Sequence, residues 1–181
     1  NEDGVAKVHL LDTATDRERP VELPGLGPGE IESLEWHANN RDLGFTFSSA
    51  RSPSDAYSLD IVTGEVERWT ESETGGLNAA GFSAPELVRW KSFDGRTISG
   101  WLYKPAARFT GPRPVIVNIH GGPEGQYQPG FLARSNYYLS ELGVALIYPN
   151  VRGSTGYGKT FLKLDNGVKR EDSVKDIGAL L

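Results

Sequence analysis

The 181-residue sequence has no cysteine, so it can form neither a disulfide nor a thiolate metal site, and the redox compartment stays open. Histidine is scarce as well. His9, His37 and His120 lie far apart without ligand spacing, so no metal and no cofactor is expected. No apolar run approaches the ~20 residues needed to cross a bilayer, which makes a membrane partner unexpected and a soluble protein of the cytoplasm or periplasm the expectation. Net charge is −5 and no basic patch stands out, so nucleic acid is not an expected partner either. The chain starts at Asn1 without a methionine or a signal-like segment, and stops at Ala179-Leu180-Leu181 inside a helical pattern. Both ends are those expected of a piece of a longer polypeptide.

What is present falls into two patterns. The first eighty residues read as short strands. Val5, Val8, Leu10 and Leu11 mark one that runs into a polar turn at Asp12-Thr13-Ala14-Thr15-Asp16. Residues 31–36 and 43–47 are joined by Asn39-Asn40-Arg41-Asp42, and residues 57–61 and 66–69 face each other across Thr63-Gly64. A repeat lies inside this stretch: Leu11-Asp12-Thr13-Ala14-Thr15 recurs as Leu59-Asp60-Ile61-Val62-Thr63, 48 positions on. A period of roughly 40–50 residues with four strands per unit is that of β-propeller blades. Two unrelated hairpins that both turn at Leu-Asp would look the same. On the propeller reading the chain holds a final blade and the last strand of the blade before it.

Residues 70–84 are polar and aperiodic, as a linker is. Beyond them Asp94-Gly95 sits between two alternating runs, residues 87–93 and 96–103, the strongest short-range signal for a hairpin. Val115-Ile116-Val117-Asn118-Ile119-His120 reads as a strand buried on both faces, ending at Gly121-Gly122-Pro123. A second buried run, Val144-Ala145-Leu146-Ile147-Tyr148-Pro149, empties into Arg152-Gly153-Ser154-Thr155-Gly156-Tyr157-Gly158. Between them Phe131, Leu132, Ser135, Tyr138, Leu139 and Leu142 recur at helical spacing, with Gly143 placed to end the helix. This is a βαβ unit, and ligands in open α/β sheets sit at the carboxyl ends of such strands. A short helix over 160–164, a break at Asp165-Asn166-Gly167 and a helix over 171–181, with Glu171 and Asp172 at its positive end, complete the chain.

The chemistry on offer lies in the two glycine loops. A strand ending in His-Gly-Gly-Pro resembles the oxyanion loop of α/β-hydrolases, where glycine lets backbone N–H groups approach a developing negative charge. An ordinary turn after a buried strand uses glycine too. The second loop, Gly153-Ser154-Thr155-Gly156-Tyr157-Gly158-Lys159-Thr160, satisfies G-x-x-x-x-G-K-[ST], the pattern of a nucleotide-binding P-loop. Three residues separate it from its strand, however, and the helix after it breaks at Asp165-Asn166-Gly167, whereas a phosphate site needs a sustained helix. A nucleophile motif is missing: no G-x-S-x-G occurs, and Gly81-Phe82-Ser83-Ala84-Pro85 comes nearest, in the linker. His120 has no carboxylate partner that the sequence can supply, and is expected to be a structural residue at a strand end.

Taken in order, Ser92-Phe93-Asp94-Gly95-Arg96-Thr97-Ile98, then Val117-Asn118-Ile119-His120-Gly121-Gly122-Pro123, then Asn150-Val151-Arg152-Gly153-Ser154-Thr155-Gly156-Tyr157-Gly158 resemble the prolyl oligopeptidase family of serine peptidases, its acylaminoacyl-peptidase and dipeptidyl-peptidase-like branch above all. The resemblance covers essentially the whole chain. It implies a mixed fold, the C-terminal blade of a β-propeller over residues 1–70, a linker over 71–84, and the N-terminal part of a doubly wound α/β-hydrolase domain over 85–181. It implies hydrolysis of short peptides near their N-terminus through an acyl-enzyme, with an esterase of the same fold as the alternative. By the same resemblance Gly121 and Gly122 supply an oxyanion N–H, His120, Arg152 and Tyr157 support that loop from behind, and the catalytic triad lies beyond Leu181. The partners implied are a peptide substrate and the remainder of the same polypeptide, without which residues 1–181 would not stay folded. A non-catalytic binding module using the propeller edge or residues 124–127 as its contact surface is the remaining reading.

Overall fold

The computed structural model describes residues 1–122 and 124–181; Pro123, the last residue of the His-Gly-Gly-Pro motif, lies outside the described residues. The chain forms two units: one of residue 1, residues 5–81 and 129–131, the other of residues 2–4, 82–128 and 132–181.

The first unit is antiparallel throughout. β1 (Val8–Asp12) pairs with β2 (Arg17–Val21), and β3 (Gly29–Trp36), β4 (Asp42–Ser49), β5 (Ser52–Asp60) and β6 (Val66–Arg68) form a four-stranded sheet in sequence order. Side chains in a strand alternate between faces, and β4 and β5 send Phe45, Phe47, Tyr57 and Leu59 to the buried face. Phe47 meets Tyr57 edge to face at 5.9 Å between ring centroids. The 48-residue repeat has a structural counterpart in its turns. Asp12 Oδ1 accepts from the N–H groups of Ala14 at 2.9 Å and Thr15 at 3.2 Å, and Asp60 Oδ1 accepts from Val62 at 2.9 Å and Thr63 at 3.2 Å. Each is an Asp-capped turn that closes a hairpin, so β1–β2 repeats β5–β6.

Two expectations fail here. A single strand was expected before the four-stranded sheet, but two are formed. The polar run Arg17-Glu18-Arg19-Pro20-Val21 has no apolar alternation, and it becomes a strand only because β1 pairs with it in register from Asp12↔Arg17 to Val8↔Val21. β5 likewise starts at Ser52, recruited by β4 through polar residues. Its Asp55, 2% exposed, holds the residues around the end of β6: Thr70 Oγ1 donates to Oδ1 at 2.8 Å and Ser72 N–H at 2.9 Å, while Arg68 Nη2 donates to Oδ2.

The second unit is a four-stranded sheet in the order β7 (Glu86–Lys91), β8 (Thr97–Tyr103), β10 (Ala145–Asn150), β9 (Val115–Val117). The β7–β8 hairpin turns at Asp94-Gly95, β10 runs antiparallel to β8, and β9 joins β10 in parallel. The crossover carries α1 (Asn136–Ser140), preceded by a 3-10 turn over Ala133–Ser135 and ended by Gly143 at φ 62°. α2 (Gly158–Leu162) and α3 (Arg170–Gly178) follow, the latter ending before residue 181. All six residues of β10 are buried, as its unbroken apolar run requires. Pro149 cannot donate to a ladder, and it lies opposite Gly100, where a Cβ would come within 2.9 Å of both Pro149 Cα and Tyr148 O. The run from Val115 was expected to be buried on both faces; it is a three-residue strand with Val115 53% exposed. Among the described residues β9 has a partner on one side only, and an edge strand cannot be covered by its own sheet.

Leu59 is fully buried, so Leu59→Ala is expected to destabilise the chain by ~2–5 kcal/mol in urea unfolding, against ~0.5 kcal/mol or less for exposed Val62→Ala. Burial pushes the Asp55 carboxyl up, but donation by Arg68, Thr70 and Ser72 outweighs it and holds the group below the usual carboxylate range. Its contribution is therefore present above the ordinary carboxylate value and lost as pH falls through the lowered one. Asp55→Asn should flatten the acid limb of stability against pH, a limb that is unchanged in the variant if the carboxylate is unimportant.

Candidate functional site

β9 and β10 are parallel neighbours, so the glycine loops after them emerge at one end of the sheet. Asn150 ends β10 with no exposed surface and joins the loops. Its Oδ1 accepts from Tyr127 N–H at 2.7 Å, and its Nδ2 donates to Tyr127 O at 2.9 Å and Tyr157 Oη at 3.0 Å. An amide paired in this way replaces a backbone ladder rung. Tyr157 Oη also lies 3.0 Å from Ser99 Oγ on β8. Tyr127 donates its hydroxyl to Asn118 at 2.9 Å, and its ring meets Tyr148 edge to face at 4.8 Å. Residues 125–127 are half-buried, and Tyr127 is tied by these bonds to the end of β10. A further link runs from Thr155 N–H to Gly125 O at 2.8 Å.

Arg152 anchors the second loop from below. Its side chain is 4% exposed and Asp176 on α3 is 0% exposed, a buried ion pair with Nη2 to Oδ1 at 2.7 Å. Nε approaches both Asp176 oxygens at 3.0 and 3.1 Å, and the Arg152 backbone N–H donates to Oδ2 at 2.9 Å. The far side of the guanidinium donates to both oxygens of Asp94, at 3.0 and 3.1 Å, and Phe93 lies 4.6 Å from its carbon. Ser92 Oγ donates to Asp176 Oδ1 at 2.5 Å, and Trp90 Nε1 to Asp176 O at 2.9 Å. The Asp176 carboxylate, with Asp94 behind it, raises the Arg152 pKa against the effect of burial; Arg152 in turn holds Asp94 below the usual carboxylate range.

The sequence pattern of a P-loop does not build a phosphate cradle here. The backbone N–H groups of Gly153, Ser154 and Thr155 donate to Phe161 O, Val151 O and Gly125 O. The helix after them is five residues long. A carboxylate stands where a phosphate would have to approach: a Cβ on Gly153, at φ 92°, would lie 2.2 Å from the Asp165 carboxyl carbon. Anion binding needs free donors, and these three are taken.

Of the residues singled out in the sequence, Gly121 and Gly122 are exposed at the mouth of this arrangement. Gly122 has φ 129°, and a Cβ there would lie 2.9 Å from the Glu124 nitrogen, so the position requires glycine; Gly121 has open space around it. His120 lies behind them, with Nε2 2.8 Å from Ser154 Oγ and its ring 5.5 Å from that of Tyr127. Sequence reasoning assigned no role to Asn150, Ser154 or Asp176. Asn150 and Ser154 belong to a motif already singled out, whereas Asp176 carries no local signal. Among the described residues no group of three His, Cys, Asp or Glu side chains could hold a metal, and no helix is long and apolar enough to cross a membrane.

No family model matches the chain. Individual proteins do. It is 33% identical over 132 residues to the uncharacterized peptidase YuxL of Bacillus subtilis, covering 68% of this chain and 18% of that protein. It is 24% identical over 164 residues to the prolyl endopeptidase of Dictyostelium discoideum, covering 89% and 21%. A solved prolyl endopeptidase structure superposes with a TM-score of 0.83 at 22% identity over 98% of this chain and 26% of that one, which defines the fold as the mostly stranded prolyl oligopeptidase type. The chain belongs to the prolyl oligopeptidase family of peptidases. It spans about a fifth of the length of these curated relatives.

Removing one partner of a buried ion pair leaves the other charge uncompensated, at a cost of about 3–5 kcal/mol. Asp176→Ala is expected to show a loss of that size in denaturant unfolding. Arg152→Met with Asp176→Leu together should recover most of it, and a double variant as unstable as the single one would show that the polar network, not the stranded charge, sets the stability.

Proposed function

We propose that the polypeptide carrying this chain is a serine-type peptidase that cleaves short peptides near their N-terminus through an acyl-enzyme, with Gly121 and Gly122 supplying the oxyanion N–H and a triad outside residues 1–181. The observation that carries this reading is the glycine pair that follows β9, exposed and backed by a second loop in which the N–H groups of Gly153, Ser154 and Thr155 are all bonded within the chain. The relatives' names, peptidase and prolyl endopeptidase, support action on peptide bonds. In this reading residues 1–70 are the end of a β-propeller, its last blade with β1–β2 left from the blade before it, residues 71–84 a linker, and residues 85–181 the start of an α/β-hydrolase domain. The bare side of β9, with Val115 and Ile116 exposed, supports a further strand of the same polypeptide as its partner. His120, Arg152 and Tyr157 act as support for the oxyanion loop, and the propeller restricts access to small substrates.

Chromogenic aminoacyl and dipeptidyl amides and esters, with fluorophosphonate labelling, test this on the full-length polypeptide. Turnover of amides with labelling is expected; turnover of esters alone makes it an esterase, and neither turnover nor labelling removes the proposal. Within that assay Gly122→Val should lower kcat on the order of 100-fold or more with little change in KM, as the loss of one oxyanion donor does. Gly121→Ala, with space for its methyl, should lower it far less. A Gly122→Val enzyme within a few-fold of wild type would mean that this loop is only a turn.

A further inference from the structure

The protonation of His120 follows from hydrogen-bond accounting at its neighbour. Ser154 is fully buried, and its Oγ lies 2.6 Å from Val151 O and 2.8 Å from His120 Nε2. Two oxygens approach to 2.6 Å only with a proton between them, and a carbonyl has none to give. The single hydroxyl proton therefore points at Val151, and Ser154 offers lone pairs alone to the ring. Nε2 must carry a hydrogen. The other ring nitrogen, Nδ1, lies 3.2 Å from Gly121 O. In a neutral ring with its proton on Nε2, that is a lone pair facing a carbonyl oxygen. In the imidazolium it is an N–H donating to that oxygen.

Gly121 O and the Gly122 N–H belong to one planar peptide and point to opposite sides of it. Whatever holds the oxygen towards the ring turns the N–H away from it, to the exposed side of the loop. Glycine on both sides of the bond lets this plane turn over where other residues would resist. We infer that His120 is a positioning residue: Ser154 fixes its proton on Nε2, and a second proton on Nδ1 locks the Gly121–Gly122 peptide with the Gly122 N–H outward, while its loss releases the plane.

The groups around the ring are committed elsewhere or exposed. From its own loop, Tyr127 presents a ring edge whose hydroxyl is committed to Asn118 and whose pKa burial pushes up, so it stays neutral. Gly125 backs onto the contact, where a Cβ would lie 2.9 Å from Gly121 O and 3.0 Å from Nδ1. Glu124 on the same loop is exposed. From the second loop Ser154 faces the ring, and the nearby charge of Arg152 is turned to Asp176 and Asp94. No ion pair reaches His120 among the described residues.

The catalytic consequence rests on the oxyanion reading above; the protonation and the peptide orientation do not. The test uses the full-length polypeptide labelled with 15N-histidine and 15N-glycine, followed by NMR across pH. Nε2 is expected to stay protonated throughout, with Nδ1 alone titrating and the Gly122 amide signal moving at the same midpoint. Ser154→Ala should abolish the Nε2 preference. In hydrolysis, His120→Gln keeps an N–H for Ser154 but has nothing at Nδ1. Its kcat should fall on the order of 10- to 100-fold, the loss expected of a misplaced catalytic group, with KM within about twofold. That deficit should be largest at low pH and close as His120 deprotonates. A neutral ring protonated on Nδ1, a Gly122 signal blind to the titration, or a deficit independent of pH in an active enzyme would each overturn the inference. If the wild-type polypeptide hydrolyses nothing, the peptidase reading falls and the NMR result alone decides this one.

Discussion

Arg152 brings a full positive charge to a place almost without solvent, and the second unit is built so that this charge is never alone. Taking an ion out of water costs several kcal/mol even after relaxation, which only close partners with good geometry offset. Asp176 meets the Nε–Nη2 edge of the guanidinium and the Arg152 backbone N–H, Asp94 meets the Nη1–Nη2 edge, and Phe93 covers one face. A lysine could not replace it, because a point ammonium cannot serve two carboxylates and an aromatic face in fixed directions. Three separate stretches are fastened at this one group: the β7–β8 turn, the loop after β10, and α3.

The fastening propagates to the loop mouth through hydrogen bonds that leave few donors idle. With Arg152 fixed, Val151 O and Ser154 are placed; with Ser154 placed, the His120 ring is held; Asn150 and Thr155 tie residues 125–127 alongside. The second glycine loop therefore serves as a mould for the first. Its glycines admit side chains from elsewhere, as Gly153 admits the Asp165 carboxylate and Gly156 admits Gln126. Rigid support behind an exposed backbone donor is what electrostatic stabilisation of an oxyanion requires, because a donor already oriented needs no reorganisation when charge develops.

The first unit is held together differently. Its core is four aromatic and aliphatic side chains alternating along β4 and β5, with no buried charge except Asp55, whose carboxylate gathers Arg68, Thr70 and Ser72. The hairpin turns depend on local chemistry alone: an aspartate whose side chain takes up the N–H groups two and three residues ahead. That local mechanism is why the turn recurs with the same geometry 48 residues apart.

Local interactions mark the limit of what was legible in the sequence. The Asp12 and Asp60 turns, the Asp94-Gly95 hairpin, the buried run of β10 and the Gly143 stop depend on neighbours within a few positions, so residue order was enough to determine them. Three ordered motifs were enough for the family. The polar strand β2 and the first half of β5 were not legible, because backbone pairing to a distant strand, and no pattern of their own, makes them strands. β9 was read as buried on both faces because its composition is that of a central strand, whereas exposure depends on which strands lie beside it. Gly121 and Gly122 could be singled out from glycine chemistry, but their support could not. Asp176 is one acidic residue among many in a helical stretch, and Ser154 one polar residue in a glycine loop. Only the tertiary structure decided that they hold Arg152 and His120, since a charge or a hydroxyl proton finds its partner by distance in space, which separation along the chain does not encode.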